Sequence, residues 1–218
     1  RIALAPGVGP VIASRLLARF GTADVVLGAS PSALAQVDGV GPKRAESIAR
    51  SLSQDEALAD RELERAHALG ARVLCLGDPD YPPTLAAIDD PPTVLFVRGE
   101  LEPFGRDAIG LGVVGSRRCT HYGLEQTKRL AGVITTAGVC IVSGGARGID
   151  TQAHRAAIEM KGRTTVVLGS GLAQAYPPEN AELFEQIVRD GFGCVVSELP
   201  IDTPPKKENF PARNRLIS

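Results

Sequence analysis

Three glycine-rich segments punctuate the second half of this 218-residue chain: "GSRRCTHYG" (115–123), "GGARGID" (144–150) and "GSGLAQAYPPEN" (169–180). Glycines leave peptide N–H groups uncovered, and a helix that follows points its positive end the same way. Gly115, Ser116, Arg117 and Arg118 in the first segment, with Gly144, Gly145, Arg147 and Gly148 in the second, therefore read as an anion site. A fourth segment, "PPKKENFPARNRLIS" (204–218), sets Lys206, Lys207, Arg213 and Arg215 around Phe210, with Asn209 and Asn214 between them. The chain has three Tyr, six Phe and no Trp, so an aromatic placed amid charge stands out. Phe210 is either a platform on which a base stacks, worth roughly 1–3 kcal/mol per base, or a plug that packs a helix onto its domain.

Several chemistries lack their residues. The dinucleotide fingerprint GxGxxG is missing, and "IVSGG" carries no acidic residue to hold a ribose hydroxyl. No GxxxxGK[ST] loop is present. Asp150 stands at a helix start, where a carboxylate caps backbone N–H groups. His154 follows it on the same helix, and Glu198 follows a strand, yet no Ser–His–Asp set or working carboxylate pair emerges. Cys75, Cys119, Cys140 and Cys194 are scattered without CxxC spacing, the pattern of small buried hydrophobes in a reducing compartment. The expectation is no catalytic residue, no metal and no cofactor.

The elements that would position these segments alternate. "AIGLGVVG", "VCIVSGG", "TTVVLGSG" and "CVVSELP" read as strands. "YGLEQTKRLAGVITTAG", "DTQAHRAAIEMKG" and "ENAELFEQIVRDG" read as amphipathic helices between them. Continuous apolar strands alternating with helices mean an α/β fold: Rossmann-like, doubly wound, with a mainly parallel sheet covered on both faces. Ligands then bind outside the carboxyl ends of the strands, where all three glycine loops fall.

Residues 1–52 differ. "LAPGVGPVIASRLL" and "VDGVGPKRAESIA" each place a GVGP turn before a helix, which predicts a tandem helix-hairpin-helix (SAM-like) all-α domain. Such turns either offer amides to a DNA phosphate or only permit tight packing. Residues 53–107 form a linker helix and an extension of the third unit, 108–218. The net charge of −1 is uneven. Residues 1–52 hold six Lys/Arg and three Asp/Glu, 53–105 hold four and eleven, and 106–218 hold fourteen and eleven. A polyanion would use the two ends and avoid the middle. No apolar run approaches the ~20 residues that span a bilayer. The chain opens on Arg1 and stops within the start of a helix, so further residues are expected at both ends.

"GVVGSRRCTHYG", "IVSGGARGIDTQAHRAA", "TTVVLGSGLAQAYPPENAELFEQI", "VVSELP" and "FPARNRLIS", in this order, resemble the DNA-processing protein A (DprA/Smf) family. "DPDYPPTLAAIDDPPTVLFVRGEL" is similar to that family's lead-in to its Rossmann-like domain. The resemblance implies a non-enzymatic, cytoplasmic single-stranded DNA binder of natural transformation. It would protect incoming strands, load the RecA recombinase and act as a homodimer. By motif it assigns strand contacts to Arg117, Arg147, Lys207, Phe210, Arg213, Asn214 and Arg215. The family often has a small residue where this chain has Arg118.

Two rival readings come from other classes. One is a Rossmann-like enzyme that cleaves nucleoside monophosphates at the glycosidic bond. Its family carries PGGxGTxxE, and the glycine loops here lack GTxxE. The other is an adaptor whose helical module binds a partner.

Overall fold

The structure, a computed structural model, describes residues 1–54, 56–101 and 109–218. The expected boundary between residues 107 and 108 lies outside them.

The helical module is built from α1 (Pro10–Phe20), α2 (Ala23–Leu27), α3 (Pro31–Leu34) and α4 (Pro42–Gln54). Its two GVGP turns are copies in three dimensions. Gly7 and Gly39 take φ of +80° and +82°, a conformation that disfavours any side chain. Val8 N donates to Ala5 O at 2.9 Å, and Val40 N to Val37 O at 2.9 Å. Pro10 and Pro42 each open a helix, where their missing N–H costs nothing. Ala13, Leu16, Ala45 and Ile48 are fully buried together with Val26 and Leu34, so the two units share one core.

α5 (Glu56–Ala68) leads into β1 (Ala71–Cys75), followed by α6 (Pro83–Ala86) and β2 (Val94–Gly99). Alternation then begins: β3 (Gly110–Gly112), α7 (His121–Thr136), β4 (Cys140–Ser143), α8 (Ile149–Glu159), β5 (Thr164–Val167), α9 (Ala181–Arg189), β6 (Gly193–Ser197) and the short α10 (Asn209–Arg213). The six strands among the described residues form one sheet in the order β1-β2-β6-β5-β4-β3. β3 to β6 are parallel, and β1 and β2 add an antiparallel edge. β1 and β2, from the segment expected to form an extension, thus pair within this sheet.

The long helices lie on one face. Ile141, Val166, Val195 and Phe96 meet residues of α5, α7, α8 and α9. The opposite face presents Val142, Val167, Cys194, Val196 and Val97, and is covered by Tyr81, Leu85 of α6, and Leu216 and Ile217. Continuous apolar strands arise because both faces are packed, although only one carries long helices. α5 is tied to the segment after β6 by Arg65, whose Nη2 lies 2.8 Å from Asp202 Oδ1. No described helix is long and apolar enough to cross a membrane.

His154 is a core residue. Its Nδ1 lies 2.7 Å from Thr164 Oγ1. That hydroxyl gives its one proton to Ile141 O at 2.8 Å, so Nδ1 carries the imidazole proton. Nε2 is buried with no partner. Burial, and then the Arg213 charge, push the pKa down to about 3. The unfolded chain takes up this proton near pH 6.5 and the folded chain does not, so stability is full above pH 6.5 and falls as pH drops toward 3. The expected slope in that window from this group is about 1.4 kcal/mol per pH unit. Urea unfolding of wild type and His154→Leu between pH 4 and 8 checks it: the variant loses this part of the slope.

Candidate nucleic-acid interface

Each of the four parallel strands sends one loop to the same rim. The loop after β3 brings Arg117, that after β4 brings Gly144, Ala146 and Arg147, that after β5 brings Tyr176 and Pro177, and the segment after β6 brings Phe210 and Arg213. These residues line one cavity, of about 10 Å³.

Backbone contacts sew the loops together. Ile149 N donates to Ser116 O at 3.3 Å, and Arg118 N to Ser116 Oγ at 3.1 Å. Gly115 has no room for a Cβ, which would stand 2.6 Å from Ile149 Cγ1. Gly148, at φ +80°, presses against Ser116 O. The third loop is pinned by Asn180, whose Nδ2 donates to Gly145 O and Thr151 Oγ1, both at 2.8 Å.

Gly144 and Gly145 differ from expectation. Both are buried, and the space before them is filled from within. A Cβ on Gly144 would meet the Arg213 guanidinium, and one on Gly145 would stand 2.7 Å from the Phe184 ring. Their bareness admits internal side chains. Asp150 is not the N-cap expected of it: Gly148 holds that position, and Asp150, in the first turn of α8, accepts instead from the loop amide Ala146 N at 3.2 Å, while burial raises its pKa.

The cations divide into two groups. Arg213 is 4% exposed; its Nη1 donates to Gly144 O at 2.9 Å and also to Val167 O. Burial lowers its pKa to about 10. Arg215 holds Glu198 in a two-pronged ion pair, Nη1–Oε1 2.7 Å and Nη2–Oε2 2.5 Å, and reaches Asp90 Oδ2 at 3.3 Å. Asn214 Oδ1 accepts from Arg213 Nε at 3.4 Å. Arg213 and Arg215 work inside the fold, whereas Asn214 between them is exposed. Lys207 and its neighbour Lys206 are exposed on the approach to α10, with no ion pair among the described residues, and neither lines the cavity. Arg117, Arg118 and Arg147 are exposed at the rim.

Two of the rim's main groups are held by partners from the protein itself. The Arg117 guanidinium carbon sits 5.4 Å above the Phe210 ring centroid, a cation–π contact. The ring also leans on Tyr176, centroids 5.6 Å apart and tilted 50°, and on the bare backbone of Gly169. Asn209, beside it, has its Nδ2 buried without an acceptor. Arg147 Nε lies 2.5 Å from Glu179 Oε1, and this pairing lowers the Glu179 pKa. Tyr176 and Glu179 escape sequence reasoning. Their segment "AYPPEN" is visible, but no pattern announces that its tyrosine and glutamate reach across to other loops.

Residues 72–218 match the family model for DNA recombination-mediator protein A. The chain belongs to the DNA recombination-mediator protein A family. Residues 3–54 match the SAM-like helix-hairpin-helix tandem. Protein Smf from Synechocystis sp. is 40% identical over 215 residues, covering 97% of this chain and 53% of the relative. DNA processing protein DprA from Bacillus subtilis is 35% identical over 175 residues, covering 80% of this chain and 58% of the relative. This chain thus spans about half the length of the curated relatives it matches. The X-ray structure of DprA from Streptococcus pneumoniae superposes with a TM-score of 0.79 at 29% identity, over 98% of this chain and 71% of that one. DNA processing protein A from Helicobacter pylori, described for a unique single-stranded DNA binding mode, gives 0.60 at 30% identity, over 70% and 66%. In this member of the family, the C-terminal cations Arg213 and Arg215 are engaged internally.

Removing Arg215 leaves Glu198, 4% exposed, without its charge partner. Arg215→Ala is expected to destabilise by about 3 kcal/mol. Arg117→Ala, at an exposed site, is expected to change stability by about 0.5 kcal/mol or less. Thermal melts of the two variants check the contrast.

Proposed function

We propose that this chain binds single-stranded DNA along the rim formed by the loops after β3, β4, β5 and β6. The observation that carries the reading is the Arg117–Phe210–Tyr176 stack beside Arg147. It unites an aromatic surface with exposed cations where four loops meet. The cavity of about 10 Å³ has room for one water and none for a base. Binding therefore proceeds by exchange. A phosphate takes Arg117 from the ring, a base takes Arg117's place on Phe210, and a neighbouring phosphate competes with Glu179 for Arg147. Gly115, Ser116 and Gly148 hold these side chains in register, Asn209 seats Phe210, and Arg118 and Lys207 add charge along the path. Arg213 and Arg215 serve as internal struts, and the exposed Asn214 between them stays available to the strand.

The wider role we propose is protection of incoming single strands in natural transformation, in the cytoplasm, with the strand passed to a RecA-type recombinase and the protein acting as a homodimer; the recombination-mediator family and its DNA-processing relatives support the DNA-handling part of it. The site needs no cofactor for this. The glycosidase reading is disfavoured because Asp150 is buried beneath the second loop and Glu179 faces Arg147. Incubation with nucleoside monophosphates is expected to release no free base.

Titration of poly(dT) from 50 to 200 mM salt tests the reading. Wild-type affinity should fall with a log–log slope of about −0.7 per phosphate engaged. Phe210→Ala should weaken binding about tenfold or more, in line with a stacking loss of roughly 1–3 kcal/mol, with little change in slope. Arg117→Ala should weaken binding and flatten the slope. Glu179→Gln, which frees Arg147, should tighten binding at low salt. Identical titrations for all four proteins would refute the site.

A further inference from the structure

On the far side of the Arg117–Arg147 pair lies a second depression, of about 300 Å³. Arg117 and Arg147 line both it and the Phe210 cavity, and Arg118, Arg155, Gln152 and Cys119 are among its other lining residues. No carboxylate lines it. Arg118 and Arg155 are exposed and make no ion pair among the described residues. The groove is shallow and open, and it lacks an aromatic side chain. Its chemistry is that of a phosphate and sugar track, lined by guanidinium forks and a side-chain amide. Gln152 and Arg155 sit one helical turn apart on α8, whose first residues and positive end also face the groove.

We infer that this groove holds the phosphodiester that continues the strand beyond the Phe210 cavity, with Arg155 and Arg118 as its ligands and Gln152 as a hydrogen-bonding partner. The inference rests on the single-stranded DNA reading and extends it. Arg117 and Arg147 become the ridge between two consecutive sites, each arginine able to serve a phosphate on either side. The path runs from the segment before α10, over the ridge, and along the outer surface of α8.

A length series of oligo(dT), measured by fluorescence anisotropy at several salt concentrations, tests it. Arg155→Ala should lose affinity increasingly as the strand lengthens, reaching about two- to fivefold at 0.1 M salt, the size of one exposed charge contact. Its salt slope should be shallower by about 0.7 on long strands. Arg155→Lys, which keeps the charge, should retain the slope. Cys119 supplies a readout that needs no loss of function. Its alkylation by a maleimide should slow when wild type is saturated with long oligo(dT), while alkylation of the exposed Cys75 on β1 continues. If Arg155→Ala follows wild type at every length and Cys119 stays unprotected, while Arg117→Ala still weakens binding, the groove inference falls and the Phe210 site stands. If Arg117→Ala and Phe210→Ala also follow wild type, the parent reading falls with it.

Discussion

The rim depends on one buried guanidinium. Arg213 crosses from the C-terminal segment to the carboxyl ends of two neighbouring strands, where it satisfies Gly144 O just after β4 and Val167 O at the end of β5. A charge in that position is unfavourable unless every donor finds an acceptor, and the lowered pKa of Arg213 records the strain of burial. The arrangement is sustained because the two carbonyls would otherwise be buried without a donor, at about 1–3 kcal/mol each. It also explains a glycine. Only a residue without Cβ at position 144 leaves room for the guanidinium. Phe210 lies three residues earlier on α10, so the strut that closes the sheet also sets the ring beside Arg117. Packing and the proposed strand site share this contact.

Charge follows the same division. The C-terminal segment carries Lys206, Lys207, Arg213 and Arg215, which by count alone would make it a strongly basic stretch. Two of the four are consumed by the fold: Arg213 by carbonyls, Arg215 by Glu198 and Asp90. The positive potential that remains accessible near the rim comes from Lys206 and Lys207, from the loops after β3 and β4 and from one face of α8. A mild overall charge of −1 is compatible with a local polyanion site because acidic residues elsewhere are engaged in their own pairs, as Asp202 is with Arg65 and Glu185 with Arg98.

Much of this architecture was legible in the sequence, for identifiable reasons. "CIVS", "TTVV" and "GCVVS" are short apolar runs between amphipathic helices, and period and length suffice to make them buried parallel strands. The paired GVGP turns repeat with the same glycine and proline roles, and both turned out to have the positive φ that a leading glycine permits. The convergence of Arg117, Arg147 and Phe210 followed from topology, because parallel strands deliver their loops to one edge. What was hidden is which cations remain free. Arg213 and Arg117 look alike in sequence. Only the register between α10 and the ends of β4 and β5 turns one inward, and that register is a tertiary fact. Likewise the alternation cannot tell that α7, α8 and α9 share a face. That requires the strand order, which runs β6-β5-β4-β3 without reversal among the described strands. Glu179 was invisible for the same reason: a carboxylate in a proline-rich loop has no periodicity to reveal its partner.

A site filled by its own side chains constrains what it can hold. Displacing Arg117 from Phe210 forfeits a cation–π contact of about 0.5–1 kcal/mol. Separating Arg147 from Glu179 exchanges one ion pair for another, so the net gain from the new phosphate is small at an exposed position. A free mononucleotide would have to offset both losses, and its own loss of translational freedom, with one phosphate and one base. A polymer meets that loss once. Each further nucleotide then binds at the high effective concentration set by its tether, and modest exchanges add along the strand. The physical logic of self-occupied contacts therefore favours a flexible polyanion over a small molecule. It also favours an unpaired strand over a duplex, because the Phe210 ring is reached only by a base free to leave its stack.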